Sequence, residues 1–211
     1  MSIKVILFDF DGTLADTFDA IVRITNDLAG EFGYKPTTLE DIAILRNLSS
    51  REIVKKSGVS IFKIPFILKR VKNRLHNNIQ QINSISGIRE TLWELKNNGR
   101  ILGILTSNSE DNVSFFLKKH NMQEFFSFIY SESTLFSKHR VIRKFLNQNN
   151  LKPEEVIYVG DETRDVEACK KISIKVIAVS WGFNSREALA RHNPDFLIDA
   201  PSELLEVVSR L

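Results

Sequence analysis

The spacing of apolar residues changes twice along the chain, near residue 16 and near residue 85. Residues 3–8 form a short apolar run rich in β-branched side chains, which predicts a strand buried on both faces of a parallel sheet. Between about residues 16 and 84 the apolar positions recur at helical spacing, and no strand is predicted. After residue 85, runs of strand length alternate with amphipathic helical stretches.

This alternation predicts an α/β fold, a Rossmann-like parallel sheet flanked by helices and interrupted by an all-helical insertion. The expected domains are an α/β core of residues 1–15 and 85–211 and a helical cap of residues 16–84. Further strands are predicted at 101–105, 128–130, 156–159, 174–179 and 196–198. Ligands of such sheets bind at the carboxyl ends of the strands, so the chemistry is expected there.

Two carboxylates, Asp9 and Asp11, follow the first predicted strand, and Gly12 comes directly after them. Side chains two apart on a strand point the same way, so both are expected to leave the strand end together. Such a pair is costly unless a cation or a shared proton relieves it, and Mg²⁺ prefers oxygen ligands of this kind. The alternative is that Asp9 ends a strand and Asp11-Gly12 forms an ordinary turn.

Polar residues also follow the second strand of the predicted sheet. Thr106, Ser107 and Asn108 precede a predicted helix, and hydroxyls with backbone N–H groups at a helix start suit a phosphate. N-capping of that helix is the competing interpretation. The sequence leaves open whether Thr106 or Ser107 would hold the phosphoryl group.

A third strand end supplies another carboxylate at the same sheet edge. Asp161 follows residues 156–159, and Asp165 would face the same side if a helix began at Asp161. Asp165 is expected to bind the metal or to orient one of its water ligands. Lys138 is the candidate for a fixed cation that balances these aspartates, with a solvated surface lysine as the alternative.

The motifs Asp9-Phe10-Asp11-Gly12-Thr13-Leu14, Thr106, Lys138 and Gly160-Asp161 with Asp165 resemble, in order and spacing, those of the haloacid dehalogenase superfamily. The helical stretch resembles the C1 cap of phosphoglycolate phosphatase-like members. This resemblance implies a Mg²⁺-dependent phosphatase with catalytic residues Asp9, Asp11, Thr106 and Lys138.

The resemblance also implies a role for each residue. Asp9 would attack phosphorus, and Asp11 would act as acid and then as base. The implied metal ligands are Asp9, Asp161 and the backbone carbonyl of Asp11. Thr106 would bind the phosphoryl group. A pyrophosphatase, a phosphomutase and a catalytically silent metal-binding regulator are the alternatives.

The segment from Arg46 to Arg74 is strongly basic, with nine lysines and arginines against one acid, Glu52. A basic cap would attract phosphorylated substrates, although most such charges lie on solvated helix faces. Arg46 follows a predicted helix and is the cap residue singled out for substrate binding.

Composition narrows the expected partners and location. The chain has 211 residues, a net charge of +3 and one cysteine, Cys169. The small charge gives little support for nucleic-acid binding, and the lone cysteine agrees with a reducing compartment. No apolar run is long enough to span a membrane, and no signal peptide is evident, so a cytoplasmic location is expected. The expected partner is a small phosphorylated metabolite, and the oligomeric state is left open.

Overall fold

The computed structural model describes residues 3–132 and 137–211. Its centre is a sheet of six parallel strands in the order β3-β2-β1-β4-β5-β6. The strands are β1 Val5–Phe8, β2 Ile101–Thr106, β3 Phe126–Ser131, β4 Val156–Gly160, β5 Lys175–Val179 and β6 Phe196–Ile198. The α/β class predicted from the sequence is confirmed.

Helices make up most of the remaining structure of the described residues. They are α1 Phe18–Phe32, α2 Leu39–Leu45, α3 Ser50–Ser57, α4 Ile64–Asn78, α5 Ile88–Asn97, α6 Glu110–Lys119, α7 Lys138–Gln148, α8 Thr163–Lys170, α9 Arg186–Arg191 and α10 Glu203–Ser209. Short 3₁₀ turns occur at Ile61–Lys63, Ile79–Gln81, Gln123–Phe125 and Pro153–Glu155.

The central strand β1 is buried on both faces, as its continuous apolar run predicts. Ile6 and Phe8 pack into one hydrophobic cluster with α5, α6 and α10. Val5 and Leu7 pack into a second cluster with α7 and α8 on the opposite face. The period of two along the strand therefore decides which helices a residue meets.

The helices α1 to α4 are inserted between β1 and α5. The chain leaves and returns at adjacent points: Ala15 and Ser84 form an antiparallel bridge, and the Asp16 amide donates to the Asn83 carbonyl at 2.9 Å. Division into a core and a cap domain at residues 15 and 85 stays a prediction. The side chains on the inner face of α4, among them Ile67, Val71 and Leu75, are buried.

Two local features differ from the sequence-based expectation. Helix α8 begins at Thr163, so Asp161 lies in the turn before it and not in its first turn. Helix α9 was not predicted, because it has six residues and buries only Ala188 and Leu189, too few to show a helical period.

None of the helices in the described ranges combines the length and the apolar character that crossing a bilayer requires.

Candidate active site

Three buried carboxylates meet at the carboxyl edge of the sheet. Asp9, Asp161 and Asp165 each offer an oxygen atom, and these atoms lie within 4.8 Å of one another. The side chains are almost completely buried, with exposures of 2% for Asp9 and 0% for the other two. Like charges this close in a low-dielectric setting repel strongly, so the cluster requires compensation by cations.

The register of β1 explains how Asp9 reaches this cluster. Asp9 continues the alternation of Val5 and Leu7, whose side chains lie on the face covered by α7 and α8. Lys138 is the first residue of α7, and Asp165 lies in the first turn of α8. The same face of the sheet thus receives one residue from a strand end and one from each of two helix starts.

Lys138 is the built-in cation of the cluster. Its ammonium nitrogen lies 2.6 Å from Asp9 Oδ2 and 2.5 Å from Asp165 Oδ1, and its side chain is buried. Burial lowers the pKa of Lys138, but the charges of Asp165 and Asp9 outweigh it and raise the pKa above its ordinary value. Lys138 is therefore held charged, and it forms ion pairs with two of the three carboxylates.

Asp161 has a different environment from its two neighbours. Its oxygens accept hydrogen bonds from the Thr13 hydroxyl and the Phe183 amide, both at 2.7 Å. In the described part of the chain no lysine or arginine forms an ion pair with it. Burial, followed by the charges of neighbouring acids, raises the pKa of Asp161 well above its ordinary value.

Two glycines enclose the Asp161 carboxylate. A Cβ atom at Gly12 would lie 2.3 Å from Asp161 Oδ2, and one at Gly182 would lie 2.2 Å from the same oxygen. Gly12 also has a φ of +77°, which an L side chain rarely adopts. The backbone therefore approaches Asp161 too closely for any other residue at these two positions.

The cluster has the composition of a site for a hard divalent cation. It offers carboxylate oxygens from Asp9, Asp161 and Asp165, whose negative charge exceeds that of the one lysine bound to them. Hard cations such as Mg²⁺ take oxygen ligands of this kind. Burial raises the pKa of Asp161. A cation held by Asp161 and Asp9 would oppose this effect, because a nearby positive charge favours the ionised carboxylate.

The Asp11 side chain lies apart from this cluster. It turns towards the Asn108 amide, which donates to both carboxylate oxygens at 3.0 and 3.1 Å. Asp9 and Asp11 therefore have different bonding partners, Lys138 and Asn108, and the expectation that both leave the strand end together stays a prediction. A metal-binding role for Asp11, through its backbone carbonyl, stays a prediction.

The pKa of Asp11 is raised to about 7. Burial is the main cause, the charge of Asp9 adds to it, and the hydrogen bond from Asn108 opposes it. A carboxyl group with such a pKa is partly protonated at neutral pH and can both give and take a proton. Asp9 is paired with Lys138, whereas Asp11 has a pKa suited to proton transfer.

The three polar residues after β2 occupy different positions. Thr106 is buried, and its hydroxyl accepts a hydrogen bond from the Asn108 amide N–H at 3.0 Å. Ser107 is half-buried. Asn108 is buried and bonded to Asp11. The choice between Thr106 and Ser107 as the phosphoryl ligand stays open.

Arg46 lies in the loop between α2 and α3, where the inserted helices contact the segment after β5. Its guanidinium donates to the Gly182 carbonyl at 2.9 Å and stacks over the Phe18 ring. Its own carbonyl accepts from the Ser185 amide at 2.8 Å and the Asn184 side chain at 3.0 Å. These contacts join the inserted helices to the edge of the carboxylate site, and a contact of Arg46 with substrate stays a prediction.

Four residues of the site were not predicted as such: Thr13, Gly182, Phe183 and Asn184. Three of them come from the segment after β5, which the sheet order places beside β4 and hence beside Asp161. A glycine and an asparagine soon after a predicted strand were the available signal. It is a weak one, because such residues also mark ordinary turns.

The family model described as haloacid dehalogenase-like hydrolase matches residues 6–179. A phosphoglycolate phosphatase from Synechococcus elongatus is 38% identical over 208 residues, which are 99% of this chain and 98% of that protein. A pyrophosphatase PpaX from Bacillus thuringiensis is 30% identical over 214 residues, covering 99% of this chain and 98% of the relative.

A solved structure, that of a predicted phosphatase from Clostridium acetobutylicum, has a similar fold. Its TM-score is 0.85 at 21% sequence identity, and the match covers 100% of both chains. At this identity the likeness concerns the fold, and it includes the inserted helices as well as the sheet.

Substitution of Gly182 by alanine should weaken metal binding. The new Cβ would lie 2.3 Å from Asp161 Cβ, so the carboxylate must move. We expect the Mg²⁺ affinity, measured by calorimetric titration, to fall about tenfold or more. The matched control is Gly30→Ala in α1, where a Cβ meets nothing within 4 Å. An unchanged affinity in Gly182→Ala would contradict the proposed enclosure of Asp161.

The metal-free protein should become more stable as the pH falls from 8 to about 5.5. The pKa values of Asp11 and Asp165 are raised to about 7 and about 6, mainly by burial, so the folded state binds more protons than the unfolded state in this window. Stability is then lost as the pH rises through the folded pKa values.

We expect the melting temperature in the presence of a chelator to be roughly 5 °C higher at pH 5.5 than at pH 8. The difference should shrink in Asp165→Asn and with saturating Mg²⁺. A metal-free melting temperature that is constant or rises with pH would show that the pKa values of these carboxyl groups are not raised in the folded protein.

Proposed function

Because this chain belongs to the haloacid dehalogenase-like hydrolase family, we propose that it is a Mg²⁺-dependent phosphatase that hydrolyses phosphomonoesters of small metabolites. One observation carries the proposal: a buried aspartate at the end of the central strand, Asp9, is held by a buried lysine, Lys138, at 2.6 Å, beside two further carboxylates. This arrangement combines an ionised carboxylate with the positive charge that a transferring phosphoryl group needs.

Asp9 is the proposed nucleophile. One of its oxygens attacks phosphorus, the bond from phosphorus to the leaving oxygen breaks, and a phosphoaspartyl intermediate forms. The Phe10 amide donates to Asp9 Oδ1 at 2.8 Å and Lys138 donates to Oδ2, so the carboxylate is fixed before the substrate arrives. Lys138 also reduces the repulsion between this carboxylate and the incoming anion.

Asp11 is the proposed acid and base. In the first step it donates a proton to the leaving alkoxide, and in the second it accepts a proton from the water that hydrolyses the intermediate. The raised pKa of about 7 supports both roles at neutral pH. Thr106 and the backbone N–H groups that follow it are the proposed ligands of the phosphoryl oxygens.

Mg²⁺ is proposed to bind to Asp9 and Asp161, with the backbone carbonyl of Asp11 as a further ligand. When bound, the ion supplies positive charge that stabilises the phosphoryl oxygens during transfer. Asp165 holds Lys138 at 2.5 Å and accepts from the Glu162 amide at 3.1 Å, so it fixes the lysine as well as adding charge to the cluster.

Phosphoglycolate is the first substrate to test, because the cyanobacterial relative with the higher identity carries that name. Pyrophosphate is the second, because the Bacillus relatives are named pyrophosphatases. A phosphomutase uses the same nucleophile, so the assay also follows transfer of the phosphoryl group to a second acceptor. A silent regulator would bind the metal without turnover.

The wild-type protein should release phosphate from small phosphomonoesters only when Mg²⁺ is present. Asp9→Asn should lose at least about 99% of the turnover, because an amide does not attack phosphorus. The assay is a panel containing phosphoglycolate, sugar phosphates, nucleoside monophosphates and pyrophosphate. The control is Asp19→Asn, an exposed carboxylate at the start of α1, which should retain wild-type rates.

Two outcomes would contradict this proposal. Retention of more than a few per cent of activity by Asp9→Asn would exclude it as the nucleophile. Absence of turnover on every member of the panel, in a protein that still binds Mg²⁺, would favour the regulator.

The pH dependence should report the protonation of Asp11. Phosphoryl transfer requires the protonated form, so kcat/KM should fall as the pH rises through an apparent pKa of at most about 7. A bound cation can only lower this value. Asp11→Asn should reduce kcat by about a hundredfold or more and remove this limb of the profile. A profile that is unchanged in Asp11→Asn would assign the proton to another group.

A further inference from the structure

A chain of hydrogen bonds joins Asp11 to helix α4 of the inserted segment. Asn108 donates to Asp11 at 3.0 and 3.1 Å, and Asn112 in α6 donates to Asn108 Oδ1 at 2.9 Å. Asn112 Oδ1 in turn lies 2.6 Å from Nδ1 of His76 in α4. Both asparagines are buried, with exposures of 2% and 0% for Asn108 and Asn112.

The contacts fix the orientation of both amides. Asn108 Oδ1 accepts from the Ser109 amide N–H at 2.8 Å and from Asn112 Nδ2, so its own NH₂ group must face Asp11. Asn112 Nδ2 also donates to the Lys72 carbonyl of α4 at 3.4 Å. Its carbonyl oxygen must therefore face His76, and the Nδ1 atom of His76 must carry a proton.

The chain is directional from one end to the other. His76 Nδ1–H donates to Asn112, Asn112 donates to Asn108, and Asn108 donates to the Asp11 carboxylate. A reversal of one amide would place two donors or two acceptors face to face in a buried site, which costs more than the loss of an exposed hydrogen bond. The position of α4 is thereby linked to the rotamer of Asn108.

We propose that Asn112 and His76 are positioning residues that orient Asp11 through Asn108 and make its orientation depend on the docking of α4 against α6. The proposal rests on the proposed function, in which Asp11 is the acid and base. Neither residue touches the carboxylate cluster or needs to touch substrate. Their action is to keep the Asn108 amide, and with it the Asp11 carboxylate, in one direction when α4 is in place.

The first test is a set of three variants with full steady-state kinetics. Asn112→Asp is isosteric and replaces the NH₂ donor by an oxygen that repels Asn108 Oδ1. His76→Leu removes the last donor of the chain at an exposed position, where folding should tolerate the change. His76→Asn keeps an N–H donor at the place of Nδ1 and should restore the contact.

We expect Asn112→Asp to lower kcat about tenfold or more and His76→Leu about threefold or more, with KM within about threefold of wild type. His76→Asn should retain at least about half of the wild-type kcat. The control is Asn78→Leu, on the same helix, whose amide donates to the Arg74 carbonyl of α4 at 2.8 Å. It should behave as wild type.

The second test does not need turnover. Two-dimensional NMR of the ¹⁵N-labelled full chain distinguishes histidine tautomers, and His76 should be protonated at Nδ1. In Asn112→Asp the Asn108 side-chain NH₂ resonances should shift, whereas in Asn78→Leu they should not.

Each contrary result overturns the proposal. An Nε2-protonated neutral His76 would remove the donor chain, whatever the activity. An unchanged kcat in folded Asn112→Asp or His76→Leu would exclude a positioning role, and a rise in KM alone would make α4 a substrate contact. Failure of His76→Asn to restore kcat would reduce His76 to a packing residue. If the wild-type chain hydrolyses no phosphate ester, the proposed function fails and the NMR result still decides the orientation of the chain.

Discussion

Repulsion among Asp9, Asp161 and Asp165 is the constraint on which the rest of the site depends. Three carboxylates within 4.8 Å, all shielded from water, are unfavourable without positive charge nearby. The structure supplies positive charge from Lys138 and from the nearby Arg164, polar donors to Asp161 and close backbone approach at Gly12 and Gly182. These features pair, hydrogen-bond or enclose the carboxylates and so restrict them to positions that mutual repulsion disfavours. Their common effect is a site that favours a bound divalent cation and, next to it, an anionic phosphoryl group.

The order of the strands brings these residues together from distant parts of the sequence. β1 lies between β2 and β4, so residues after its end meet the ends of both neighbours. Asp9 follows β1, Asp161 follows β4, and Lys138 begins the helix α7 that packs on the same face as Leu7. A parallel sheet places the carboxyl ends of all its strands at one edge. Residues that follow the central strand can contact residues that follow either neighbouring strand.

The sequence predicted the elements of this site better than their orientations. Asp9, Asp161 and Lys138 could be found because an apolar run or a motif order marks each of them. The different bonding partners of Asp11 and Asp9 could not be predicted, because they depend on the backbone turn at Gly12 and on the amide of Asn108. The same holds for Gly182 and for Asn112 and His76. Their roles depend on contacts between residues distant in sequence, Gly182 with Asp161 and His76 with Asn112, where no local period carries information.

Different helices hold the two aspartates of the first motif. Asp9 is fixed by α7 and α8, which pack on the sheet, whereas Asp11 is fixed through Asn108 and Asn112 to α6 and, by His76, to the inserted helix α4. A movement of α4 would thus disturb Asp11 and leave Asp9 with its lysine. In the proposed mechanism Asp9 attacks phosphorus and Asp11 transfers protons, and these separate supports allow each carboxyl to be held independently of the other. The turn at Gly12 is what makes this division possible within three residues of chain.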